Sequence, residues 1–353
     1  FTVDYRSIPA IKAHLFYTPI FFIMSFDLYA IGNALVDSEY VVTDRFLTEQ
    51  NIHKGQMTLI DGQQQQTLLK ALNAEFSCAK RASGGSAANS VIAFAALGGS
   101  AFYACKVAND HNGDFYLHDL RAAKVSAPHH AQVDNGVTGT CVVMVTPDSE
   151  RTMHTFLGIT AELSAQELDL TALTTARYLY IEGYLATSPS ARHAVAEARS
   201  LAKAQGIKTA LTFSDPAMVQ YARDGLTEML AQGVDILFCN ETEAQLWSNS
   251  ENTPDAITAL HKVSPLVVVT CGSKGAIISE NSQQTAIAPF PVTALDSNGA
   301  GDAFAGAFLY GLSQNWSLAD SGRLASRTSA QVVSQFGPRL REEQYQELLK
   351  ELF

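Results

Sequence analysis

Asp296-Ser297-Asn298-Gly299-Ala300-Gly301-Asp302 runs without a break into Ala303-Phe304-Ala305-Gly306-Ala307-Phe308-Leu309. Two glycines and an alanine lie between two acids. Phe304, Phe308 and Leu312 then recur at the i, i+4 spacing of a buried helix face. A glycine loop therefore opens onto a helix N-terminus. The first four N–H groups there have no intrahelical partner, and the helix dipole favours negative charge. Small residues let those amides close on a ligand with no Cβ in the way. Such a start is an anion cradle, and Asp302 sits in its first turn. An acid there makes sense if it takes a proton from a nucleophile while Gly299, Ala300 and Gly301 hold the group being attacked. The plainer reading is a capped helix start with Asp302 matched to the dipole. The stretch alone leaves both readings open.

The whole chain narrows the field. Its 353 residues can bury a large core, as one big α/β domain or as two units. At 47% hydrophobic and 17% charged it is a globular composition. A formal charge of −11 with no Lys/Arg run argues against a nucleic-acid groove. It leaves room for a nucleotide, which needs only local amides and a metal. Cys78, Cys105, Cys141, Cys239 and Cys271 form no C-x-x-C pair, and each lies in or beside an apolar stretch. They read as buried free thiols of a reducing compartment, which points to the cytoplasm. Leu15 to Met24 is apolar for about ten residues, about half a membrane span. Residues 1–24 read as an N-terminal extension outside the fold, with 25–353 as the domain.

Taken in order, residues 26–31 form an apolar strand ending at Gly32-Asn33, and 34–42 leave the core in an extended style. Asp37 interrupts that run. It is either a strand-edge acid or a carboxylate taking two hydrogen bonds from a sugar diol. Residues 63–75 suit a surface helix. Ser83-Gly84-Gly85-Ser86-Ala87-Ala88-Asn89 is a second glycine turn feeding a small-residue helix that stops at Gly98-Gly99. On spacing, Asn89 is a local cap before it is a ligand contact. Residues 101–107 read as a strand and 113–123 as a helix. Residues 138–146 and 151–156 form a hairpin. With 34–60 it could make a small sheet over a cleft, a lid built from about 34–60 and 132–158, or else an edge hairpin of the main sheet. Strands at 178–181, 208–213, 235–239 and 266–270 then alternate with helices at 190–204, 216–231 and 242–248. Repeated βαβ order predicts a doubly wound, mostly parallel sheet with helices on both faces. Ligands of such sheets bind beyond the carboxyl ends of the strands. Asn33, Asp37, Asn240-Glu241-Thr242-Glu243, Gly272-Ser273-Lys274-Gly275 after Thr270, and the 296–302 loop all fall at that edge.

Phosphoryl transfer needs a base for the attacking hydroxyl, amides or cations on the moving group, and a hydrated Mg²⁺. Asp302 is the base candidate and residues 299–301 the anion hole. Asn240 and Glu243, at i, i+3, either hold the waters of Mg²⁺ or cap a helix. The 272–275 turn either covers a nucleotide or closes a hairpin. No G-x-x-x-x-G-K-[ST] P-loop occurs, and no G-x-G-x-x-G follows the first strand.

The two glycine motifs in this order, with Asn240-x-x-Glu243, resemble the signatures of the ribokinase-like (PfkB) carbohydrate kinases, from about residue 26 to about residue 340. Gly32-Asn33-x-Leu35-x-Asp37, Thr138-Gly139-Thr140-Cys141, Phe238-x-Asn240-Glu241-Thr242-Glu243 and Asn298 look most like the adenosine kinase branch. Ser297 stands where Thr is usual, and Gly272-x-x-Gly275 looks more like the sugar-kinase branch. The resemblance implies a ribokinase-like fold, ATP and Mg²⁺ as cofactors, with K⁺ a further candidate, and a small-molecule nucleoside or sugar as substrate. It implies that Asp302 activates a 5′-hydroxyl. Asp37, Gly84, Gly85 and Asn89 would grip the ribose, with Asn33 and Asn298 nearby and Phe156 of the lid near the base. Asn240, Thr270, Gly272 and Gly275 would meet the nucleotide, and Asn240 and Glu243 the metal through water. A catalytically silent nucleoside-binding protein is the reading from another class. No nucleic acid or membrane partner is expected, and the chain is a monomer or a homodimer through the lid.

Overall fold

The structure, a computed structural model, describes residues 25–148 and 150–352; the expectation for residues 1–24 lies outside them. Nine strands form the main sheet, in spatial order Gln283–Ile287, Ala276–Glu280, Leu266–Thr270, Ile236–Asn240, Lys208–Thr212, Tyr178–Ile181, Leu28–Ile31, Ala101–Ala104 and Val125–Ser126. All neighbouring pairs are parallel except the two that involve Ala276–Glu280, which close an antiparallel edge.

Both faces are covered, and the strand residues alternate between two cores as a period of two requires. Leu28, Ala30, Tyr180, Ala210, Phe238 and Val268 pack on one side. Tyr29, Ile31, Leu179, Leu211, Leu237 and Val269 pack on the other. The first core holds the helix Ser86–Ala96 and the helix Ala300–Ser313, which lie against each other. Gly306 permits that contact, since a Cβ on it would meet the Ser90 carbonyl oxygen at 2.3 Å.

A second sheet of five strands stands apart, in the order Met57–Leu59, Arg151–Phe156, Gly139–Val145, Leu35–Val41 and Cys78–Gly84. The 138–156 hairpin is therefore part of a separate sheet and not an extra edge of the main one. Two details differ from expectation. Cys78–Gly84 joins this sheet, and Gln132–Val133 pairs with Val107–Ala108 instead. The outer face of the small sheet packs under the helices Asp44–Glu49 and Gly62–Glu75 through Tyr40, Phe46, Leu68, Leu72, Val142 and Met144. Other differences are local. The strand expected over 101–107 breaks after Ala104, and 216–231 is two helices, Pro216–Tyr221 and Arg223–Leu230. Four cysteines are buried, but Cys78 is exposed. Among the described residues, no helix is long and apolar enough to cross a membrane.

The chain enters the main sheet at Leu28–Ile31, builds outward on one side, and returns to Tyr178–Ile181 on the other. The order of connection thus reverses beside the first strand, the place where open α/β sheets form their crevice.

Candidate active site

A cleft of about 520 Å³ lies at that place, between the carboxyl ends of the main strands and the inner face of the small sheet. Its volume is in the usual range for a small-molecule site.

The floor is the start of the helix Ala300–Ser313. Gly299 caps it with φ +73°, and a Cβ on Gly299 would meet the Pro338 Cβ at 2.4 Å. Only glycine meets both demands. Gly301 also lines the cleft, but a Cβ added there would meet nothing within 4 Å. Among the described residues, the N–H groups of Gly301 and Asp302 have no acceptor. Two unpartnered amides beside open space at a helix N-terminus fit a phosphoryl oxygen. Ala300 donates instead to the Ser297 carbonyl at 3.3 Å. The loop itself is held by Asp296, which accepts from Asn298 N at 3.0 Å and from Gly337 N at 2.7 Å.

Asp302 stands at the centre. Ser86 Oγ donates to its Oδ1 at 2.6 Å, and Asn89 Nδ2 donates to its Oδ2 at 2.9 Å. Asn89 is therefore no local cap: its helix has no side-chain cap, and its amide reaches across to the other glycine loop. Burial pushes the Asp302 carboxyl up to about 6, against the pull of Ser86, Asn89 and Arg339. The dipole was expected to favour the ionised form; here desolvation outweighs it.

Asp37 lies on the inner face of the small sheet, with its carboxylate lodged where a Cβ on Gly84 would be, 2.1 Å from Oδ1. Gly84 makes room for Asp37, while Gly85 lines the cleft. Burial raises Asp37 to about 7, with Arg339 and Arg151 pulling it down. Asn33, on the adjoining wall, donates from Nδ2 to Glu182 Oε1 at 3.0 Å. Glu182 is 1% exposed and also accepts from Ala87 N at 2.8 Å, so it ties the first strand's exit to the 86–96 helix. Burial raises Glu182 to about 7.

Asn240 and Glu243 begin the helix Glu241–Ser248 and form a reciprocal capping box. Asn240 Nδ2 also donates to Glu243 Oε1 at 2.8 Å. The capping reading thus describes their contacts. Both still line the cleft, and burial lifts Glu243 to about 7. Thr270 lines it too. Gly272 and Gly275, with φ +55° and +93°, turn the antiparallel hairpin and stay outside the cleft lining. Among the described residues, no group of three His, Cys, Asp or Glu side chains is placed to hold a metal.

The small sheet contributes Leu35, Met57, Leu59, Cys141, Val143, Met153 and Thr155 to the cleft, and Leu157 follows just beyond its last strand. This wall is apolar and sulfur-rich. Phe156, expected near the base, has the wrong parity. It turns to the other side, against Gly62, while Thr155 and Leu157 face inward. Arg151 lies outside the cleft lining, in an ion pair. Its side chain is 9% exposed and meets Asp296 at 2.5 Å and Glu39 at 3.3 Å.

Sequence reasoning missed Glu182, Ser86 as a partner of the acid, and Arg339. Glu182 had a signal, an acid closing the apolar run Tyr178-Leu179-Tyr180-Ile181. Arg339 had none, since its partner Asn89 is 250 residues away.

A chain with this fold, two glycine loops meeting on one acid, and a separate small sheet belongs to the PfkB family of carbohydrate kinases, whose family description, pfkB family carbohydrate kinase, matches residues 55–344. Its relatives include adenosine kinases, ribokinases and a 5-dehydro-2-deoxygluconokinase of Clostridium beijerinckii. It is 26% identical over 335 residues to an adenosine kinase of Saccharomyces cerevisiae, covering 89% of this chain and 97% of that one. It is 29% identical over 235 residues to a ribokinase of Mus musculus, covering 64% and 70%. Among solved structures, an adenosine kinase from Sinorhizobium meliloti superposes with a TM-score of 0.85 at 32% identity, covering 93% of this chain and 100% of that one. A probable sugar kinase from Rhizobium etli CFN 42 does so at 0.84 and 32%, covering 94% and 100%.

Proposed function

We propose that this chain transfers the γ-phosphoryl group of ATP to the 5′-hydroxyl of a ribonucleoside, with adenosine the first candidate. The observation that carries the phosphoryl-transfer reading is the pairing of a buried acid with free amides. Asp302 has a raised affinity for protons and lies directly beside the unpartnered N–H groups of Gly301 and its own backbone. One group accepts the proton of an attacking hydroxyl, and the others hold the oxygens of the group it attacks.

The cleft also argues for how the nucleotide arrives. Asp37, Glu182, Asp215, Glu243 and Asp302 line it, and among the described residues no Lys, Arg or His does. A naked polyphosphate would be repelled there. Mg²⁺-ATP supplies both the phosphoryl group and the missing counter-charge. Glu243, with Asn240 fixing its oxygens, is the acid on that side, and with both oxygens taken by the capping box it would hold the ion through water.

The small sheet speaks for a nucleoside. A free sugar offers a hydroxyl in every direction, and each needs a partner when buried. A wall of Leu35, Met57, Val143, Met153 and Leu157 supplies none and suits the flat face of a base. Asp37 on the inner face of the small sheet and Asn89 beside Asp302 suit a diol. Residues 35–41 and 139–156 would act as the lid that keeps water out.

The test is ADP release with Mg²⁺-ATP across adenosine, other ribonucleosides, ribose and fructose. Adenosine is expected to give the highest kcat/KM. A higher value for a free sugar would overturn the nucleoside reading. Adenosine binding with no turnover on any acceptor would mark a binding protein. Asp302→Asn is expected to keep adenosine affinity and lose at least about a hundredfold in kcat.

A further inference from the structure

Arg339 does not line the cleft and belongs to no motif. It follows Gly337-Pro338 in the connection after the helix Leu318–Val333, with its side chain 12% exposed. Its Nε donates to Asn89 Oδ1 at 2.9 Å. Its Nη1 donates to Ser83 Oγ at 3.2 Å and to Asp119 Oδ2 at 3.3 Å. Asn89 in turn donates from Nδ2 to Asp302 Oδ2.

The chemistry of these groups decides how Asn89 must point. A primary amide has one accepting end and one donating end, whereas a guanidinium only donates. Facing Arg339, Asn89 has to offer its oxygen. The NH₂ end is then left for Asp302, where an ionised carboxylate can only accept. Rotate the amide by half a turn and both contacts fail: donor would face donor, and acceptor would face acceptor.

We propose that Arg339 is a positioning residue. By donating to Oδ1 of Asn89 it locks the amide in the orientation whose NH₂ end holds the Asp302 carboxylate for the attacking hydroxyl. The proposal rests on the reading of Asp302 as the base.

Two further observations fit this role. Arg339 is held from both sides of the site. Asp119, on the helix His111–Ala122, grips its guanidinium and also accepts from Ser83 N at 2.9 Å. Gly337 and Pro338, just before it, pin the glycine loop through Asp296 and Gly299. Arg339 Nη2 is also buried with no partner among the described residues. Packing alone does not favour a guanidinium with an unpaired buried donor; orienting Asn89 gives it a purpose.

The experiment is a double-mutant cycle on the full chain with Mg²⁺-ATP and the best acceptor, using Arg339→Gln, Asn89→Ala and the pair. Arg339→Gln is expected to lower kcat by about ten- to a hundredfold, the scale of a slightly misplaced group. In the Asn89→Ala background the same change should cost no more than about twofold, because the amide it orients is gone. Arg339→Lys keeps a cationic donor and should recover part of the loss. An equal loss with and without Asn89 would overturn the proposal, since Arg339 would then act through Ser83 and Asp119. Unchanged kcat in Arg339→Gln would overturn it as well. If Arg339→Gln does not fold, as read by circular dichroism, the cycle is run with Arg339→Met, which keeps an apolar stem but offers no donor, and the same two outcomes decide. Asp302→Asn runs alongside. Near-normal turnover there removes the base reading itself, whereas a silent Asp302→Asn with an additive cycle removes Arg339 alone.

Discussion

Asp302 shows a burial penalty put to use. Its carboxyl is lifted from 3.8 to about 6 by desolvation, and two hydrogen bonds only partly offset that. On the proposed reading Asp302 is the base and works ionised, so kcat/KM should fall as pH drops through about 6. Asp37 from the small sheet, Glu182 from the first crevice wall and Glu243 from the capped helix face the same cleft and are lifted to about 7. Arg339 pulls Asp302 and Asp37 down, and Arg151 pulls Asp37 down. The acid limb should therefore be steep. A profile that stays flat to about pH 4.5 would remove Asp302 as the base. The stability consequence has the opposite sign. A folded-state value above the unfolded one favours the fold below 3.8, and that advantage is lost as pH rises through about 6. At neutral pH the ionised acid thus burdens the fold. Asp302→Asn should lose turnover yet melt higher, by roughly 2–4 °C for each kcal/mol relieved. A lower melting temperature in calorimetry would mean that the Ser86 and Asn89 bonds outweigh desolvation.

At the scale of elements, the helix Ala300–Ser313 separates two glycines that look alike in sequence. Gly299 needs its positive φ and the space filled by Pro338, so a side chain there strains the cap. Gly301 has an ordinary φ and open space. Gly301→Ala should leave stability unchanged or raise it by about 0.5–1 kcal/mol, because alanine suits a helix. Its methyl would stand in the phosphoryl space, so kcat should fall at least about tenfold. Normal turnover in a stable Gly301→Ala would move the anion site elsewhere. The glycine loops, the 138–156 hairpin and the alternating strands and helices were legible because each is a local pattern; whether that hairpin joined a separate sheet stayed open, because its pairing with Leu35–Val41 is long-range. Phe156 was misplaced because strand parity is invisible until a register is set: a shift of one residue changes the face. Asn89 read as a cap for a similar reason, since its partner lies 213 residues away. The Asn240-Glu243 spacing was legible as a capping pair, and the structure adds that the same pair borders the cleft.

At the scale of the molecule, the cleft lies between two sheets, and Arg151 ties the small one to the 296–302 loop. It leaves the small sheet, is almost buried, and pairs with Asp296, whose side chain is 1% exposed. Asp296 in turn holds Asn298 N inside the 296–302 loop and Gly337 N in the connection that follows the helix Leu318–Val333. Nothing in the sequence tied residue 151 to residue 296, because ion pairs between distant segments carry no local signal. The pair is a poor source of net stability compared with apolar packing, but breaking it strands a buried carboxylate at a cost of about 3–5 kcal/mol. Arg151→Met should therefore destabilise the chain. It should also raise amide hydrogen exchange in two places together, along 139–156 and over 294–299. Turnover should fall through kcat and KM jointly, since closure and loop geometry share one tie. Faster exchange confined to 139–156, with residues 294–299 protected as before, would show that the loop stands without the lid and that Arg151 serves the small sheet alone.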